Sequence, residues 1–366
     1  MAGCVPPDRR SERQRALRSA LQGEGLDGLL VTHLPNIRYL TGFTGSAALL
    51  LVNADATILI SDFRYAAQAP AEVGTAAAVE IDQRSVWERL GRVLAARPTL
   101  SLAIESTSLT VRDAERVSSL TRGRVVPTSD MVESLRAAKS PEEVAAIREA
   151  AVLAQEALAE VLVGVRAGQT EIEIGASLES ALRRRGSEWH PFPTIVASGE
   201  RSALPHARTS KRVVGVGELL LLDFGAQVDG YCADLTRTVV VGARADERQR
   251  TVHDLVQTAQ RRAIEHLRPG MSAREGDALA RDVIATRGFG EAFGHSLGHG
   301  LGLEVHEAPR LSPTSDRPLP LHAVVTVEPG IYFPGWGGIR VEDDVYLGAD
   351  RTECLSDGRT ELLELV

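Results

Sequence analysis

Four carboxylates standing at the ends of apolar runs are the residues of this chain best placed to do chemistry. The first two belong to one hairpin. Glu218 and four leucines lead to Asp223, and after Val228-Asp229-Gly230-Tyr231 the chain returns through Asp234 into a second apolar run. Asp-Gly between two such runs signals a tight turn. With Asp229 and Gly230 as the turn residues, Val228 faces Tyr231 and Asp223 faces Thr236. Asp234 is then the diagonal neighbour of Asp223 on the same face, about 7 Å away or less. A single buried Asp is usually just hydrogen-bonded, but two on one apolar face repel unless a cation sits between them. A second hairpin repeats the pattern, with Val324 to Glu328 outbound and Gly338 to Val345 returning. Alternation puts Val324, Thr326 and Glu328 on one face, and Arg340, Glu342 and Asp344 on one face of the return strand, so Glu328 and Glu342 can meet. The competing reading makes Glu342-Asp343-Asp344 a solvated acidic cluster, with Glu342 paired to Arg340.

Five of the nine histidines fall near these acids or between them: His190, His206, His295, His299 and His306. His295 and His299 have the HxxxH spacing of two zinc ligands on a helix. A helix is disfavoured by Gly298, Gly300 and Gly302, and Ser296 stands where a zinc-peptidase helix needs its Glu. Alternate glycines instead suit a backbone that passes close to a ligand or to another strand. Four carboxylates with one imidazole form a hard, oxygen-rich ligand set, better suited to Mn²⁺ than to zinc. Two divalent ions about 3.5 to 4 Å apart could share it, and the reaction class that follows is metal-assisted hydrolysis.

The elements that must position these groups fall into two parts. Up to about residue 127, short apolar strands (Gly28 to Thr32, Ala47 to Val52, Thr57 to Ser61, Leu100 to Glu105) alternate with helical stretches such as Val86 to Ala96, which predicts an α/β domain. Ser140-Pro141-Glu142-Glu143 opens a new helix after a polar stretch, and the domains are expected at 1–130 and 131–366. The second part contains a weak repeat. Gly168 to Glu173, followed by an amphipathic run to Gly186, matches Gly270 to Glu275, followed by a run to Gly288. Each copy follows a long helical segment, Glu142 to Val163 and Glu247 to Leu267. This predicts a pseudo-twofold α+β domain whose halves each bring two carboxylates to one central site.

Composition sets the bounds. The chain has 366 residues, 25% of them charged, and a net charge of -8. An acidic balance without a dominant basic cluster argues against nucleic acid as partner. No apolar run approaches the ~18 residues of a membrane helix, so no membrane partner is expected. Arg9-Arg10 precedes a charged amphipathic stretch and not the apolar core of an export signal. Cys4, Cys232 and Cys354 are odd in number and far apart, which fits a reducing cytoplasm.

At the residues quoted, the sequence resembles the creatinase, prolidase and methionine aminopeptidase superfamily, whose catalytic domain has the pita-bread fold. The stretch from His295 to Glu307 looks like the proline-peptidase signature. Leu222 to Gly225, Asp234 to Thr238, Val327 to Gly330 and Ile339 to Asp343 are similar to the family's other blocks, in the expected order. Asn36 to Phe43 and Ser61 to Tyr65 resemble the creatinase-like N-terminal domain of proline dipeptidases and aminopeptidases P.

The resemblance implies that Asp223 chelates one metal, that Asp234 and Glu342 bridge both, and that His299 and Glu328 complete the second site. It implies Mn²⁺ first, with Co²⁺ or Zn²⁺ as alternatives. His206, His295 and His306 become substrate-side histidines, Glu328 shuttles a proton, His306 polarises the scissile carbonyl, and Arg340 orients Glu342 or a carboxylate nearby. The implied substrates are short proline-containing peptides and the implied assembly is a homodimer. An Xaa-Pro bond has no amide N–H, so a dedicated pocket must hold the ring; Phe192, Tyr332 and Trp336 are candidates to line it. A dipeptidase is the leading expectation and an Xaa-Pro aminopeptidase the alternative. A non-catalytic binding protein on the same fold is the alternative from another class, and loss of a ligand would be its mark; none is lost.

Overall fold

Short, mostly apolar runs that are buried on both faces make the four inner strands of the first sheet, and two half-exposed strands form its edges. A computed structural model of the chain describes residues 7–96, 101–356, 358 and 360–366; Cys4 and Leu100 lie outside them. The chain divides into two units, one ending at Arg136 and the other comprising Ala137–Val366.

In the first unit, strands Gly28–Val31, Ala48–Asn53, Thr57–Asp62, Ala78–Asp82, Ser101–Glu105 and Arg124–Thr128 form one mixed six-stranded sheet. Helix Val86–Ala96 buries Leu90, Val93 and Leu94 against Leu30, Leu51, Ile60 and Leu102. Asn36 is fully buried and ties this unit together. Its amide donates to Glu105 Oε1 (2.8 Å) and to Glu133 Oε1 (2.7 Å), and its Oδ1 accepts from Arg136 (2.6 Å). These bonds attach the short helix Glu133–Arg136 to the first unit, which therefore ends after Arg136 and not at residue 130.

Among the described residues the second unit contains two helix pairs, two larger sheets and two two-stranded ladders. Capping boxes at Ser140/Glu143, Thr170/Glu173, Asp246/Gln249 and Ser272/Glu275 start helices Pro141–Leu162, Glu171–Arg185, Glu247–His266 and Ala273–Ala285. Each box satisfies amides that the first helical turn leaves unpaired. Gly186, at φ 111°, stops the second helix, whereas the fourth ends at Thr286 in the right-handed region, with Gly288 two residues further on.

The first helix pair covers a four-stranded sheet in the order Leu363–Leu365, Leu235–Val241, Glu218–Phe224, Ile195–Ser198. The second pair packs on a five-stranded sheet in the order Glu307–Leu311, Gly298–Gly300, Val324–Val327, Asp343–Leu347, Thr352–Cys354. A bridge between Thr236 and Glu342 joins the sheets, and the two carboxylate hairpins meet there.

Candidate metal centre

The first hairpin has the register that its turn dictates. Asp229 (φ 49°) and Gly230 (φ 75°) both take the left-handed conformation of a tight hairpin turn. Val228 pairs with Tyr231 and Asp223 with Thr236, which leaves Asp234 diagonal to Asp223. In the second hairpin Val327 pairs with Asp343 and Gly330 with Arg340, so Glu328 falls opposite Glu342. The ladder opens between them. Glu342 instead donates its amide to Thr236 O (3.1 Å), and its Oε2 accepts from the Thr236 hydroxyl (2.6 Å).

Glu342, Asp343 and Asp344 are not a solvated cluster, being 2%, 2% and 0% exposed. Asp343 is neutralised by Arg237 (2.7 Å) and accepts from Gln260 and Ser356. Asp344 accepts from the amide of Asp234 (3.1 Å). Arg340 pairs with Asp223 (2.5 Å) and not with Glu342, and also donates to Tyr332 Oη (2.8 Å) and Thr236 Oγ1 (3.1 Å).

Glycine lets the second half close. A Cβ on Gly298 would stand 2.0 Å from Thr326 O, and one on Gly300 would stand 2.2 Å from Ala308 O, so only glycine admits the flanking strands. The strand Gly298–Gly300 thus presents His299 to the acids, its Nε2 lying 3.5 Å from Glu328 Oε1 and 3.8 Å from Asp234 Oδ2. His299 Nδ1 lies 3.1 Å from Gly300 O. Burial pushes the imidazole down to about 4, so it is neutral, with Nδ1–H donating and the Nε2 lone pair facing the carboxylates.

Among the described residues a single buried guanidinium, Arg340 on Asp223, faces the four carboxylates. Asp234 and Glu342 are raised well above the usual range, first by burial and then by neighbouring carboxylates; Glu328 is raised to about 8 by burial, and Asp223 is raised by burial against the opposing pull of Arg340. Asp223 Oδ1 and Asp234 Oδ1 are buried with no hydrogen-bond partner. Asp234, His299 and Glu342 offer ligand atoms within 4.8 Å of one another. Unpartnered anionic oxygens beside a neutral imidazole are the donor set that divalent cations require.

A cavity of about 890 Å³ opens onto these residues. His206, His295 and His306 all line it, His206 and His306 being exposed. The His306 ring lies 4.4 Å from that of His299, centroid to centroid. Both nitrogens of His295 are engaged, Nε2 with Tyr332 Oη and Nδ1 with Ser296 O (2.8 Å each). His190 instead stacks on Trp189, at 4.7 Å, away from the cavity wall.

Of the three aromatics expected around a proline ring, Phe192 lines the cavity, beside Pro193 and Ile195. Tyr332 is buried behind the wall, where it joins His295 to Arg340. Trp336 packs on Phe333 with Arg248 4.2 Å above its ring, which places it elsewhere. Two exposed cations on the wall, Arg208 and Arg310, carry no local signal in the sequence and were not anticipated.

A buried set of carboxylates and one imidazole, open to a peptide-sized cavity on two pseudo-symmetric helix-and-hairpin halves, defines a pita-bread metallohydrolase. Residues 145–349 match the metallopeptidase family M24, and residues 13–138 match the creatinase/prolidase N-terminal domain. The chain belongs to metallopeptidase family M24. It is 40% identical to a Bacillus subtilis protein described as the uncharacterized peptidase YqhT, over 95% of this chain and 99% of that one. Among solved structures it is similar to an Xaa-Pro dipeptidase from Bacillus anthracis, with a TM-score of 0.94, 38% identity and coverage of 97% of this chain and 99% of that one. It is also similar to an X-Pro aminopeptidase from Thermotoga maritima, with a TM-score of 0.88, 37% identity and coverage of 96% and 99%. Among the described residues no helix is long and apolar enough to cross a membrane.

Proposed function

We propose that this metallopeptidase hydrolyses Xaa-Pro bonds and acts chiefly as a dipeptidase. The observation that carries the hydrolytic reading is the convergence of Asp223, Asp234, His299, Glu328 and Glu342 with two buried carboxylate oxygens unpartnered. Asp223 would hold one ion, Asp234 and Glu342 both, and His299 with Glu328 the second, with Mn²⁺ preferred and Co²⁺ or Zn²⁺ as alternatives. Bound there, two such ions supply Lewis acidity and lower the pKa of water.

The chain's own groups do the rest. Arg340 pairs with Asp223 and fixes its direction. Glu328, on the cavity wall, takes the proton of the attacking water and returns it to the leaving nitrogen. His306 donates to the carbonyl oxygen as negative charge develops. His206 faces the substrate from the opposite loop, and His295, both of its nitrogens engaged, contributes a fixed wall. Phe192, Pro193 and Ile195 offer apolar contact to the proline ring.

Arg310 supports the dipeptidase reading. A dipeptide ends in a carboxylate one residue beyond the scissile bond, and an exposed guanidinium on the cavity wall suits it. The Thermotoga relative is described as an X-Pro aminopeptidase, and this supports the alternative, in which longer peptides are trimmed. Comparing cleavage of Ala-Pro and Ala-Pro-Ala by the manganese-loaded chain separates the two, and no cleavage of either would leave a non-catalytic binding protein. The expected setting is a homodimer in a reducing cytoplasm, in line with the free Cys232 and Cys354, and sedimentation tests the dimer.

A further inference from the structure

The loop 199–210 builds one wall of the cavity, contributing Pro205, His206, Ala207, Arg208 and Thr209. Its two ends converge on a single carboxylate. Glu171, the first residue of helix Glu171–Arg185, has 0% exposure. Its Oε1 accepts from the amide and the hydroxyl of Ser198, at 2.8 Å each. Its Oε2 accepts from the amide of Ser210 (3.0 Å) and its hydroxyl (2.6 Å). Arg201 Nε donates to both oxygens at 3.2 Å, and Arg201 Nη2 goes on to the carbonyl of Arg208 (2.5 Å), two residues past His206.

Both oxygens of a buried anion are thus spent on this loop and the serines at its two ends. Helix initiation does not require it, because Thr170 and Glu173 already form the capping box. A buried carboxylate is costly unless it is fully paired, and charge-assisted bonds to it are the stronger kind. Its helix N-terminal position adds favourable partial charge.

We infer that Glu171 is a positioning residue for His206. It holds Ser198 and Ser210 together and, through Arg201, fixes the descending limb of the loop, so that the His206 imidazole stands over the metal centre instead of swinging with an exposed loop. This rests on the reading of His206 as a substrate-side group.

The test is a double-mutant cycle on Ala-Pro hydrolysis by the full, manganese-loaded chain, with metal content and melting temperature measured on every variant. Glu171→Gln keeps the side chain's shape but removes the charge and turns an amide group toward the loop's own donors. It should lower kcat/KM by about tenfold or more with metal content unchanged. In a His206→Ala background the same change should cost less than about twofold, because the positioned group is already gone. Ser210→Ala removes one donor and leaves the anion paired with Arg201; it should give a smaller loss of the same background-dependent kind, and it serves if Glu171→Gln does not fold. Equal losses with and without His206 would overturn the proposal and leave Glu171 a purely structural residue. Wild-type activity in His206→Ala would overturn the role of His206 and the positioning proposal together, and it shows in the single variant before Glu171 is touched.

Discussion

Each half of the Ala137–Val366 unit holds its histidine-bearing segment with a carboxylate–guanidinium pair, but in the first half the guanidinium, Arg201, belongs to the loop itself, whereas in the second half both partners, Asp277 and Arg281, belong to the helix. Glu171 accepts from loop amides and hydroxyls, whereas Arg281 donates to the carbonyls of Phe293 (2.8 Å) and His295 (2.7 Å). Asp277 pairs with Arg281 and accepts the amide of Leu297 (2.9 Å), so the second clamp grips both polarities of backbone around His295. The hairpins differ in the same spirit. The first places two aspartates diagonally along an unbroken register, and the second places two glutamates face to face where the ladder opens. Pseudo-symmetry here is a property of the backbone frame, and each half solves its local hydrogen-bonding problem with different side chains.

Replacing one ligand from each half tests whether they contribute equally. Asp234→Asn and Glu342→Gln should each reduce metal content and lower kcat by at least about 10³-fold, since the loss of one anionic ligand disables the group that activates water. Activity within tenfold of wild type in either variant would break the equivalence of the halves. His306→Ala should lower turnover by about 10²-fold with metal retained, as expected of a proton donor to the carbonyl oxygen. An empty site in that variant would mean that His299 and His306 exchange roles.

The clamps should differ in stability. Arg281→Met leaves Asp277, 1% exposed, with one amide donor, and a cost of about 2 to 4 kcal/mol is expected from urea unfolding. Serine-to-alanine changes around Glu171 should cost less, at roughly 1 kcal/mol each. A reversed order would place the main burden on the first clamp.

The smallest effect concerns acid. Helix Glu247–His266 buries His253 at 2% exposure, and its counterpart Pro141–Leu162 contains no histidine. Burial pushes His253 down to about 4 from 6.5, so between those values the unfolded chain binds the extra proton and the folded one does not. His253 therefore removes stability as pH falls from about 6.5 to 4, by on the order of 1 to 3 kcal/mol. His253→Gln should flatten that part of the wild-type profile, and an unchanged slope would show that the imidazole protonates without opening the helix.

Much of the site was legible because its signals are local. An Asp-Gly turn and a period of two set the partners of Asp223 and Val228 without help from the rest of the chain. The second register follows in the same way, and the cap signals at Ser140, Thr170 and Ser272 mark three of the four helix starts, the box at Asp246 and Gln249 showing only in the structure. The alternate glycines announced a close strand approach, and the approach to Thr326 and Ala308 is its cause.

What escaped the sequence lies in pairings across 100 residues or more and in which way a long side chain turns. Nothing near Arg340 says that it reaches Asp223, 117 residues away, and nothing near Thr236 says that it bridges to Glu342, 106 residues away. Tyr332 and Trp336 stand only four residues apart in the chain, yet one joins His295 to Arg340 behind the cavity and the other packs under Arg248. Arg310 faces the cavity only because the strand Glu307–Leu311 is docked on Gly298–Gly300. Sequence alone therefore determined which residues share a face, because turn chemistry and strand alternation act over a few bonds. The tertiary structure alone decided which faces meet, because burial and charge pairing depend on surfaces that exist only once the two halves have closed on each other.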